Sequence, residues 1–161
     1  MSADRAPQHG HVRPGVALGF ATAGFVALLI AGLGMTSLLL DQDVIGVAGL
    51  GQLPGIAATV LTTVAFAASL WAALRRQHPS FSGVVATTVV TALAYPVGVF
   101  LGALFGGADL GPATSAAAGV VLSWFGVVVA GAALVSAWGA IALVRTGASR
   151  PRWPWEDPFD E

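Results

Sequence analysis

Only a few side chains in this sequence could do chemistry. His9 and His11, one residue apart, have the spacing of a weak metal-binding pair. His78 stands in a short Arg-bearing loop with no nucleophile beside it. Asp41 and Asp43, together with Asp109, supply three carboxylates for an outer cation site. Plainer readings stand beside these: a polar tail for the His pair, ordinary acidic loops for the carboxylates. Tyr95, Thr59, Thr62, Thr63, Thr87, Thr88 and Thr91 supply hydroxyls, either as glue between helices or as the lining of a path for a small solute. The C-terminal RPRWPWEDPFDE carries Trp153, Trp155 and Phe159 among three Pro, which forbid a helix and favour an extended course. Those rings suit either the inner headgroup region of a membrane or a groove on a cytoplasmic partner.

Other chemistry is excluded. The chain has no Cys, so there are no disulfides, thiolate nucleophiles or Cys-ligated metals. A net charge of −1 gives no electrostatic basis for nucleic-acid binding. Nothing implies a cofactor.

The elements that hold these groups are unusually apolar. Of the 161 residues 56% are hydrophobic and 9% charged, against about 25% charged in a typical soluble domain. Four apolar runs, 15–40, 54–74, 81–105 and 113–144, contain no Asp, Glu, Lys, Arg or His. About 20 apolar residues in a helix cross the hydrocarbon core, and each run is long enough. The runs lack the alternation of barrel strands. The sequence predicts an all-α, four-transmembrane-helix bundle, antiparallel and up-down, spanning 15–145 between a tail at 1–14 and a tail at 146–161. The first run is too long for a cleaved signal peptide and reads as a retained anchor.

Orientation follows from charge. All seven Arg lie before the first run, after the second or after the fourth, and five acids in those segments leave them +2. The other two loops hold only Asp41, Asp43 and Asp109. The positive-inside rule puts both termini in the cytoplasm. Trp124 lies 21 residues before Arg145, which sets the crossing part of the fourth run at 124–144, with 113–123 as an outward extension or part of a strongly tilted helix. Leu50–Pro54 and Leu110–Pro112 resemble one another, as an internal duplication would have it.

No acid or His lies at membrane depth. Small multidrug transporters rely on an embedded Glu and intramembrane proteases on Ser–His or paired Asp, so neither reading fits. Gly98, Gly102 and Gly106, with Ala94 before them, form a tandem small-residue face that admits a close backbone. It serves either a partner or another helix of the same protein. Gly15, Gly19 and Ala23 repeat the pattern more weakly, and Gly107, outside the repeat, is expected to tolerate a large side chain. Tyr95-Pro96 sits mid-helix, and antiparallel matching of Leu74 with Ser82 sets Tyr95 level with Thr62, where a hydrogen bond would satisfy its hydroxyl.

In style the chain resembles the small four-helix membrane proteins of unknown function of high-GC actinobacteria. The likeness lies in four apolar runs, no Lys, Gly/Ala/Val richness and an Arg-Pro-Trp-acid tail. It implies no activity and carries over no functional residues. The expected protein is a non-enzymatic, multi-pass component of a bacterial plasma membrane. It would be a structural or accessory subunit joining another membrane protein or a second copy of itself through small-residue faces. The alternative is a transporter or channel component for a small or uncharged solute.

Overall fold

The computed structural model describes residues 13–46, 51–75 and 82–146. They form five helices: α1 (Pro14–Leu40), α2 (Leu53–Leu74), α3 (Ser82–Phe105), α4 (Leu110–Val121) and α5 (Trp124–Thr146). Four are long and apolar enough to cross a membrane: α1, α2, α3, and α5 over Trp124–Val144. In hydrocarbon a helix satisfies its own backbone, which no open strand can do. Punctuation sets the limits. Pro14 and Pro54 stand in the first turns of α1 and α2, where a missing N–H costs nothing. Helix α1 ends at Asp41 in left-handed backbone (φ 49°), its N–H donating to the Ser37 carbonyl. Helix α3 ends at Gly107 (φ +85°), with Gly107 N–H donating to Leu104 O and Ala108 N–H to Ala103 O, both at 3.0 Å. That double closure is the Schellman arrangement, which favours Gly at its left-handed position.

The expected single helix over 113–144 is two helices. Ser123 directs both its N–H (3.3 Å) and its hydroxyl (3.0 Å) to the Val120 carbonyl, which ends α4. Gly126 N–H then donates to Ser123 O at 3.2 Å and opens α5. A Cβ at Gly126 would stand 2.9 Å from the Val120 carbonyl, so this sharp bend depends on glycine. Helix α4 packs mainly on α3 and touches α5 little, so it is no straight extension of α5. The part of the run long enough to span matches the expected 124–144. The two similar stretches diverge as well: Pro54 opens a spanning helix, Pro112 the short α4.

The four long helices pack in a ring. Helix α1 touches α5 and α2, α2 touches α3, α3 touches α5, and α1 makes no contact with α3. Buried residues recur every four positions: Ala17, Ala21, Phe25, Leu29 and Leu33 on α1, and Pro54, Ala58, Thr62, Phe66 and Leu70 on α2. Phe25 and Phe66 stack at 4.4 Å between centroids. Only 28–33% of each span's apolar core is buried in the protein. Phe20, Ile30, Leu38 and Leu93 stand exposed around the ring, an outward apolar surface that water would not tolerate and lipid provides for.

Candidate functional site: one closed seam and two open grooves

The α2–α3 seam is closed backbone to backbone. A Cβ on Gly98 would stand 2.5 Å from Ala58 Cα, and one on Gly102 2.6 Å from Pro54 Cα and 2.9 Å from Leu53 O. At the other end Gly83 faces the Ala73 methyl at 3.0 Å. The pairing descends α2 as it climbs α3 and keeps one register throughout, with Tyr95 level with Leu61 and Thr62. Gly98 and Gly102 are buried; their face is filled by the chain's own α2. The third glycine of the repeat is not part of it: Gly106 lies exposed beyond the last turn of α3, nearest its own helix carbonyls. Gly15 and Gly19 are exposed with nothing within 4 Å of a Cβ, so among the described residues the weaker repeat meets no helix. Gly107 is no neutral position either, since its backbone is left-handed.

The hydroxyls do not bridge the seam. Thr59 donates to Gly55 O (2.9 Å), Thr63 to Thr59 O (2.8 Å) and Thr91 to Thr87 O (2.7 Å), each one turn back on its own helix. Thr62 Oγ1 is buried with no hydrogen-bond partner, so the expected Tyr95–Thr62 bond is not formed. Equal depth brings two residues to one level; it does not turn their side chains toward each other. Thr87 and Thr88 hydroxyls are buried without a partner as well.

Between α1 and α5 lies the first groove, about 190 Å³, lined among others by Phe20, Ala21, Gly24, Ser136, Gly139 and Ala140. A Cβ at Gly24 or Gly139 would meet nothing within 4 Å. Ser136 is 8% exposed, and its Oγ is buried without a hydrogen-bond partner. Farther along the same pair the helices close: a Cβ on Gly32 would stand 2.6 Å from Val128 Cγ1.

The second groove, about 250 Å³, lies where the turn after α1 meets α4 and the start of α5, with Asp43, Val44, Ser115, Gly119, Ser123 and Phe125 among its lining. The three carboxylates have separate places. Asp41 ends α1, Asp109 precedes the first turn of α4, and Asp43 lines this groove. Among the described residues no group of three His, Asp or Glu could hold a metal. At the opposite end of the ring the Arg75 guanidinium lies 5.4 Å from the Trp71 ring centroid, a cation–π contact. His9, His11 and His78, and the tail with Trp153, Trp155 and Phe159, fall outside the described residues.

A family of unknown function, DUF6121, matches residues 12–161. The chain belongs to this family. No curated protein matches it, and no solved structure does. DUF6121 membership covers the whole helical ring and the C-terminal tail.

Proposed function

We propose that this DUF6121 protein is a non-enzymatic accessory subunit of a bacterial plasma membrane that binds a transmembrane helix of another membrane protein. The supporting observation is the α1–α5 groove. Its lining includes Ala21, Gly24, Gly139 and Ala140, and Ser136 stands among them with its Oγ buried and without a hydrogen-bond partner among the described residues. Lipid does not drive helices together, so association depends on close packing and on polar contacts worth about 0.6 kcal/mol each. A partner helix carrying a hydroxyl, amide or exposed carbonyl offers both. Two-fold self-pairing would set this groove against itself, concave on concave. A convex helix of another protein fits better, and a homo-oligomer is the competing outcome.

The arrangement in the membrane is antiparallel, with both termini in the cytoplasm. The net-positive segments that hold all seven Arg, the loops that carry only Asp, and the Arg75–Trp71 pair support it. A reporter fused after Glu161 should be active only in the cytoplasm and one inserted beside Asp109 only outside; the reverse pattern overturns the topology.

A Cβ at Gly139, in the groove lining, meets nothing within 4 Å, so Gly139→Leu places a large side chain at the groove with room to enter it. It should leave the purified protein as heat-stable as wild type and abolish co-purification of a stoichiometric partner from native membrane. Gly131→Leu, equally free of neighbours but outside the groove lining, should keep the partner. If Gly139→Leu retains the partner, the groove is not the docking face. The transport alternative rests on the unpartnered Thr62, Thr87 and Thr88 hydroxyls. Solute flux into liposomes holding only this protein, lost on Thr87→Val, would favour it.

A further inference from the structure

We infer that the outer end of the ring is an apolar collar covered by lipid, which fits the protein to bilayers with long acyl chains. This goes beyond the accessory role and rests only on the transmembrane arrangement proposed above. Leu38 and Leu39, at the end of α1, are 85% and 79% exposed, Phe105 at the end of α3 is 84% exposed, and Leu122 at the α4–α5 bend 86%. The collar continues the lipid-facing belt without a break, since α1, α3 and α4 carry no charged residue. Charge begins only at Asp41, directly after Leu40, and at Asp109, directly before α4.

Helix lengths put the collar beyond an ordinary hydrocarbon core. The 21 residues Trp124–Val144 rise about 32 Å, close to a core of roughly 30 Å. The 27 residues of α1 rise about 40 Å. Most of the excess lies at the collar. Gly32 faces Val128, so Trp124 is level with Thr36, and Leu38 and Leu39 stand about 3–5 Å beyond it. Gly83 faces Ile141, so Trp124 is level with Phe100, and Phe105 stands about 7 Å beyond. A span longer than its bilayer tilts or draws the bilayer thicker. Here α1 and α3 stand at opposite corners of the ring without contact. A rigid tilt that sinks Leu39 lifts Phe105, so tilt alone does not submerge both. Thickening does, and long acyl chains supply it.

The test uses the full chain, one copy per nanodisc, in phosphatidylcholine with myristoleoyl, oleoyl or erucoyl chains, in order of increasing length. The melting temperature should rise along that series. The double variant Leu39→Gln/Phe105→Gln, altered only at exposed side chains, should melt with wild type in oleoyl discs and lose the further gain in erucoyl discs. The chain has no Cys, so single-Cys variants report without background. Leu39→Cys and Phe105→Cys should react with a membrane-impermeant maleimide at least tenfold more slowly in erucoyl than in myristoleoyl discs, while Asp43→Cys reacts fast in all three. A melting temperature that peaks in the shorter lipids, or labelling rates equal in all three, overturns the inference. So does protection of both cysteines that appears only with two copies per disc, which marks a second copy as the cover. Fast labelling of Ile30→Cys, in the middle of α1, would instead overturn the transmembrane arrangement itself.

Discussion

The α2–α3 seam and the α1–α5 groove are built from the same residue types and do opposite things. On α3, Gly98 and Gly102 stand so near α2 that a single added carbon would lie 2.5–2.6 Å from Ala58 and Pro54 backbone atoms. On α1 and α5, Gly24 and Gly139 face open space at the same test. In the seam, missing side chains bring two backbones together. In the groove, they leave room that this chain does not fill. A small-residue face therefore marks where close approach is permitted; whether the neighbour is a helix of the same chain depends on where the ring brings its helices.

That contrast can be broken most forcefully at the seam. Gly102→Leu forces a large side chain against backbone that cannot swing aside. It should cost about 3 kcal/mol, at the upper end for overpacking, read as a large fall in thermal stability in detergent. Gly131→Leu, exposed and free of neighbours, should stay within about 0.5 kcal/mol of wild type. Equal stability of the two variants would mean that α2 and α3 do not pack as described.

Gly107→Leu separates backbone conformation from packing. Nothing lies within 4 Å of a Cβ there, yet φ is +85°. A loss of about 1–2 kcal/mol is expected from the left-handed backbone alone, with Gly107→Asn milder because Asn tolerates that region. A loss as large as that of Gly102→Leu would show hidden packing at the turn.

The smallest effect sharpens the groove. Ser136→Ala removes a buried hydroxyl that has no partner among the described residues, so the isolated protein should gain about 1 kcal/mol in chemical-denaturant or thermal assays. The same variant should hold its partner more weakly. A loss of stability in the isolated protein would show that the hydroxyl is already satisfied internally and that the groove is part of the packed interior.

Much of this was legible in one dimension. Lipid demands uncharged runs of about 20 residues whatever their neighbours are, so the four spanning lengths could be read directly, including the 124–144 limit from Trp124 and Arg145. The α2–α3 register was legible too, because matching the two helix ends fixes depth along parallel axes. The break at Leu122–Ser123 had a weak signal in the sequence: Ser immediately before an apolar run is one punctuation of a helix start.

By itself, then, the sequence determined the solvent, the helical class and the depth of each residue, since these depend on local composition and on a rise of about 1.5 Å per residue. Tertiary structure alone decided azimuth and adjacency. Only the ring shows that Gly98 and Gly102 meet α2 while Gly15 and Gly19 meet none of the described helices. It shows that Thr62 and Tyr95 share a level without a bond, and that Asp43, not Asp41 or Asp109, lines a groove. In hydrocarbon every side of a helix is equally apolar, so no amphipathic stripe records which face a neighbour covers. That information exists only where the helices touch.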